Sequence, residues 1–393
     1  MKLHAFLSSA AIASLLASTG LAQSDPSDSV LIPAEKTNLS LRNEVKHAID
    51  KGLSWLKEKQ DASTGAWSTK DHPAVTALVL SAYFRAPDDT YVSKKPEFIK
   101  KGLEFIVSHA QEDGGIYVKD LRNYNTSVAL TTLHLAEDPA YASVISKARA
   151  YVVGLQAKGL DNPALNGGIG YGPGATNRQH PDLSNTVLAL EALAATRHLE
   201  AGENVDASQK LDWQAAIDFI TRTQNLPSHN KEPWASDDPA NKGGFIYYPG
   251  HSMAGETELP SGKKALRSYG SMSYAGLLSY VYAQLDRNDP RVKAVLEWLE
   301  KNYTLEENPG MGDDGRYYYY HMMAKALAAA QVKSIALADG TNIDWRQDLA
   351  KKLIDLQSSD GSWVNESGRW WEKDPVLVTS YAVLALEAIY SAM

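Results

Sequence analysis

Six stretches of the chain are apolar on almost every helical face: AVTALVLSAY, YNTSVALTTL, SNTVLALEAL, YGSMSYAGLLSY, HMMAKALAAA and VTSYAVLALEAI. Helices patterned in this way belong to a buried layer. Each follows a stretch that is apolar on one side only. In KGLSWLKEKQ, for example, Lys57, Glu58 and Lys59 stand beside Leu53, Trp55 and Leu56. Such a helix packs one face and wets the other. A glycine–aromatic turn, often opened by a Gln, joins the two members of a pair, as in QDASTGAW, QEDGGIY, NGGIGYGPG, NKGGFIYYPG and QSSDGSW. The fifth copy, NPGMGDDGRYYYY, is longer.

The apolar helices align with Thr76, Thr126, Thr186, Met272, His321 and Thr379 in one shared position. A single hairpin cannot bury its apolar face alone, so neighbours stack. Six outer–inner pairs predict an all-α fold, an (α/α)6 toroid whose inner barrel of apolar helices is surrounded by outer helices. On this reading Trp67, Tyr117 and Trp363 pack against neighbouring hairpins. Gln60, Gln111, Gln156, Gln224 and Gln357 cap backbone groups at helix ends.

Composition narrows the chemistry. The chain has 393 residues and a formal charge of -8, which argues against a nucleic-acid partner. It has no cysteine, so disulfides, thiolate metal sites and cysteine nucleophiles are excluded. Lys2, the apolar run AFLSSAAIASLLAS and the small residues Gly20 and Ala22 read as a signal peptide over residues 1–22, cleaved after Ala22. The expected product is exported, to the periplasm or beyond. A polar linker is expected over 23–40 and a single toroid domain over 41–393, with long inserts in the fourth repeat. No later segment reads as a transmembrane helix.

The repeats also carry a resemblance. QSSDGSW resembles the Gln-x3-Gly-x-Trp element of squalene and oxidosqualene cyclases, and TSYAVLALEAI is similar to the helix that follows it there. GGIGYGPG with PDLSNTVLALEAL, and NKGGFIYYPG, are similar to the Gly-Gly-Phe turns of protein prenyltransferase beta subunits. The resemblance covers roughly residues 41–393 and implies the toroid. It does not carry the chemistry across. The Asp-x-Asp-Asp acid of class II cyclases is missing, and the doublets Asp88-Asp89, Asp237-Asp238 and Asp313-Asp314 do not supply it. The zinc site of prenyltransferases needs a cysteine, as does the thioester of complement-type domains.

In such a ring the cavity opens where the inner helices start, and free N–H groups there favour anionic or polar ligand groups. The residues expected to line it are Asn125, Asn185, Tyr269, Ser271, Tyr274, Lys325, Thr379 and Tyr381. Candidate catalytic groups are His321, Tyr319, Tyr320, Arg316 and Asp182. His321 is the lead because it replaces Thr at the shared position, lies four residues from Lys325, and titrates near neutral pH. The tyrosines beside Arg316 become proton carriers if their pKa is lowered. The plain alternative is packing. The fourth-repeat loops, with His229, Trp234, His251 and Glu256, are expected to form a lid. Trp370 and Trp371 are surplus to the repeat and suit ligand stacking. No metal site and no cofactor is assigned. Three functions are in play: a cavity for an isoprenoid or other lipid ligand, a secreted polysaccharide lyase or hydrolase acting on an acidic glycan, and a non-catalytic scaffold.

Overall fold

The computed structural model describes residues 38–173, 180–201, 205–337 and 339–393. The expected signal peptide and most of the linker lie outside them. Thirteen α-helices occur among the described residues. The outer layer is α1 (Leu39–Glu58), α4 (Glu97–Ser108), α6 (Ala142–Gly154), α8 (Trp213–Arg222), α10 (Pro290–Lys301) and α12 (Trp345–Asp355). The inner layer is α2 (Pro73–Arg85), α5 (Arg122–Leu135), α7 (Leu183–Ala195), α9 (Gly270–Tyr282), α11 (Arg316–Ala329) and α13 (Pro375–Ala392). A short α3 (Thr90–Lys94) follows α2. Five short 3-10 helices lie in the described connections, and there are two small antiparallel hairpins: β1 (Glu256–Glu258) with β2 (Lys264–Leu266), and β3 (Ile335–Ala336) with β4 (Asn342–Ile343).

Each inner helix packs on the next, and α13 packs back on α2, so the inner layer closes into a six-membered ring. The fold is an all-α toroid. α13 is long and apolar enough to cross a membrane by composition, contrary to the expectation that no such segment follows the leader. Its place in the barrel wall, largely buried between α11 and α2, accounts for that composition.

The turns are stapled in a repeating way. Gln224 Nε2 donates to its own turn at Gly243 O and to Arg291 O at the start of α10, both at 2.9 Å. Gln60, Gln156 and Gln357 make the same double contact; for Gln357 the second acceptor is Ala48 O in α1, so this staple closes the ring. Gln111 departs from the pattern and bonds only within its own turn. Gly243 has φ +94°, and a Cβ there would fall 2.1 Å from Ala294 O of α10. At Gly361, with φ +99°, a Cβ would fall 2.6 Å from Lys51 O of α1. Only glycine allows that backbone shape and that approach.

A hydroxyl on each of five inner helices holds the turn before it. Thr76, Thr126, Thr186 and Thr379 accept the backbone N–H of Trp67, Ile116, Ile169 and Trp363. In the fourth repeat the hydroxyl is Ser273, which accepts from Phe245 N. The expected alignment on Met272 is therefore one residue short. His321 holds no turn N–H and lines a smaller space deeper in the barrel.

Candidate functional site

A cavity of about 560 Å³ opens at the end of the barrel where all six inner helices begin. The first turns of those helices form its wall: Val75, Tyr124, Ser184 with Asn185, Ser271 with Met272, Tyr318, and Leu377. Leu188 and Tyr381, one helical turn further in, form the floor. The segments between turn and inner helix add the rest, including His72, Tyr171, His180, Tyr247, Tyr248, His251 and Tyr269. Trp370, Trp371 and Glu372 cover one side. The rings pack edge to face: His72 on Trp371 at 4.7 Å and Tyr318 on Tyr381 at 5.9 Å between centroids. The Tyr124 and Tyr381 hydroxyls meet at 3.4 Å.

Side chains cap five of the six helix starts at this mouth; α5, which begins after Leu121, has no side-chain cap. Asp182 caps α7, accepting Asn185 N at 2.8 Å and Asn185 Nδ2 at 2.9 Å. Asp374 caps α13 through Val376 N. The other caps come from elsewhere in the ring. Glu372 accepts Tyr317 N and Tyr318 N of α11, Asn125 accepts Ala74 N of α2, and Asn308 accepts Ser271 N of α9. These residues fill the positions in which free N–H groups were expected. Burial pushes the Asp182 carboxyl up to about 7, against hydrogen bonds from Asn185 and Tyr247 that pull it down. Glu372 is also raised, chiefly by burial.

Among the residues expected to line the cavity, Asn185, Tyr269, Ser271 and Tyr381 do so. Asn125 is spent as the α2 cap, and Thr379 on the Trp363 turn. Tyr274 is buried away from the cavity, against Tyr319 at 5.6 Å. Lys325 and His321 do share a face, as their spacing implies, but it faces the far side of the floor. There they line a small space of about 40 Å³ with Arg85 and Glu191, where Lys325 pairs with Glu191. His321 stacks beneath Tyr381 at 5.4 Å. Burial and the neighbouring Lys325 and Arg85 charges hold its pKa well below the usual value, so it is neutral near pH 7.

Tyr319 and Tyr320 point outward, donating to Thr304 O at 2.9 Å and Leu305 O at 2.5 Å. Their pKa values are raised by burial, the opposite of what a proton carrier at neutral pH needs. Arg316 pairs with Asp313 at 2.9 Å outside the cavity. Asp182 sits directly behind the wall formed by Asn185 and Tyr247. In the fourth-repeat loops only His251 of the four expected residues lines the cavity. Trp234 donates to Arg222 O, His229 contacts Ser228, and Glu256 pairs with Lys264 on the exposed hairpin.

Sequence reasoning passed over His72, Tyr171, His180, Tyr247, Tyr248 and Glu372. For two of them a signal was present. Tyr171 and Tyr247 each stand two residues after the turn hydrophobic, Ile169 and Phe245, where extended chain turns alternate side chains to one side. Their carbonyls accept Asn123 N and Leu183 N, which fixes both segments along the mouth.

No protein-family model matches the chain, and no curated protein matches it. Solved structures do. The type II terpene cyclase MstE from Scytonema, in complex with geranylgeranyl dihydroxybenzoate, matches with TM-score 0.54 at 12% identity, over 91% of this chain and 100% of that one. An alpha-1,6-mannanase from Salegentibacter, an inactive variant in complex with alpha-1,6-mannotriose, matches with TM-score 0.54 at 11% identity, over 89% of this chain and 100% of that one. The class defined in common is the α/α toroid. At these identities the likeness is one of fold.

Proposed function

We propose that this protein is exported and that its toroid holds an apolar small molecule of isoprenoid type in the mouth cavity. The observation that carries this reading is the cavity itself. Its volume is in the usual range for ligand sites, its floor is Leu188 and the Tyr381 ring, and its walls are mainly rings and aliphatic chains. The carboxyls near it are engaged as helix caps, so the space is shaped for binding rather than built around a free acid. The ligand bound in the terpene cyclase structure, geranylgeranyl dihydroxybenzoate, is of the same chemical class. Binding is the proposal; no catalytic step is assigned to His321, Tyr319, Tyr320 or Arg316.

A second reading, glycan binding, has one observation in its favour. Trp370 and Trp371 are 42% and 49% exposed at the cavity edge and offer flat platforms to sugar rings. An acidic glycan is less well served, because no Lys or Arg lines the cavity among the described residues.

The test is native mass spectrometry of the protein after expression with its own leader. A bound isoprenoid or lipid, with a new N-terminus at Gln23, supports both halves of the proposal. If no apolar species is bound and geranylgeraniol does not quench tryptophan fluorescence, the isoprenoid reading fails. Oligosaccharide binding in its place selects the second reading. An uncleaved leader retained in the cytoplasm overturns export.

A further inference from the structure

A strap of chain, residues 364–374, runs from the sixth turn to α13 along the cavity edge. Among the residues lining the cavity, Trp370 and Trp371 on this strap are the exposed ones, at 42% and 49%; the rest are buried or half-buried. They are also the one adjacent pair of non-glycine residues with positive φ among the described residues, at 53° and 69°. Side chains this bulky rarely adopt that backbone, and residues that do so concentrate at functional sites.

The strained pair is held firmly. Asp314, just before α11, accepts Ser367 Oγ at 2.6 Å and Arg369 Nη1 at 3.0 Å. Asn365 Nδ2 donates to Asp313 O at 3.0 Å and to Glu372 at 2.6 Å. Glu372 in turn accepts Tyr318 N of α11 at 2.8 Å. Gly315 leaves room for the Trp370 ring, since a Cβ there would fall 2.9 Å from it. The Arg369 guanidinium lies over that ring, 4.7 Å from its centroid, and His72 packs on Trp371 with centroids 4.7 Å apart. Both rings are thus set in place before a ligand arrives, which lowers the cost of binding on them.

An isoprenoid chain alone leaves this platform unused, because it fills the interior above Leu188 and Tyr381. A ring that is half in water suits a group that is itself half hydrated. A pyranose is such a group. Its C–H face is apolar and meets the negative face of an indole, while its hydroxyls stay in water. An aromatic head would gain more from an enclosed slot. The neighbours of the two rings also suit hydroxyls: Arg369 beside Trp370 carries N–H donors, and His72 beside Trp371 carries ring nitrogens that donate or accept.

We propose that the ligand is an amphiphile with a neutral sugar head: its apolar chain lies in the cavity, and a pyranose ring stacks on Trp370 and Trp371 at the rim. This rests on the reading of the cavity as a binding site for an apolar small molecule.

Three probes with one chain separate the two ideas: geranyl glucoside, geraniol and geranyl phenyl ether, titrated calorimetrically into the purified protein. The glucoside is expected to bind roughly tenfold or more tightly than geraniol. Its hydroxyls make it the more water-soluble of the two, so partitioning alone opposes that gain. If the glucoside binds no more tightly than geraniol, or the phenyl ether gains as much, the sugar head is overturned and the apolar cavity stands. If none of the three binds, both proposals fall.

A double variant, Trp370→Ala with Trp371→Ala, locates the head. The ratio of glucoside to geraniol affinity is expected to fall several-fold, with circular dichroism confirming the fold. A ratio unchanged from the parent overturns the placement on the strap. Should the double variant not fold, Trp371→Ala alone is read in the same way.

Discussion

Asp182 shows how one side chain serves structure and electrostatics together. It caps α7 and is fully buried, and its carboxyl is raised from the ordinary 3.8 to about 7. The folded state therefore holds the proton more tightly than the unfolded chain. The stabilisation this gives is complete below about pH 4 and is lost as pH rises through 7, a swing of roughly 4 kcal/mol at most. Asn caps equally well and does not ionise. Asp182→Asn is thus expected to match the parent near pH 4 and to exceed it in thermal stability near pH 8. A melting-temperature difference that stays flat across that range would show that Asp182 does not titrate as described. His321 is the contrasting case. The Thr-to-His exchange invited an acid–base reading, yet the residue sits under the floor, neutral, with no hydrogen bond to its enclosed Nδ1. The exchange was visible in the sequence. That its side chain faces away from the cavity was not, because the fifth turn has no Gly–aromatic element to fix the register.

At the level of elements, the turn explains why so much of the fold was legible. In four of the six turns the Gln makes the same double contact, which is why the pattern is visible in the sequence there. Gly243 allows a direct test. Gly243→Ala puts a methyl against Ala294 O at a φ unfavourable to side chains, and should cost about 3 kcal/mol or more. Gly159 also has positive φ, but nothing lies within 4 Å of a Cβ placed there. Gly159→Ala should cost only about 1 kcal/mol, from backbone strain alone. Chemical denaturation of the pair measures the difference, and equal losses would show that close approach to α10 is not what selects glycine. The cavity was less legible for a related reason. Asn185, Tyr269, Ser271 and Tyr381 stand at or within two turns of an inner-helix start and could be read from it. Glu372 caps α11 from the following repeat, a contact between chain segments that no local spacing announces.

The whole molecule depends on closure. α13 completes the inner ring against α2, Gln357 and Gly361 dock the last turn on α1, and Arg42 of α1 donates to Tyr390 O near the end of α13 at 2.9 Å. An open solenoid tolerates loss of a terminal repeat because each unit contacts only its neighbours. A closed ring does not: removing residues 375–393 exposes the apolar faces of α2, α11 and α1 together and also removes Leu377 and Tyr381 from the cavity. The same closure brings the first and last described helices together. Arg42 and Tyr390 touch, so a short Gly-Ser linker can join Met393 to Asn38, and new ends can be placed at Gly262, where a Cβ would meet nothing within 4 Å. The permuted chain is expected to melt in one cooperative transition within a few degrees of the parent, and the chain lacking α13 to show no cooperative transition. If the truncated chain instead melts cooperatively with ligand binding intact, the barrel does not need its sixth inner helix, and the cavity must be held by the other five.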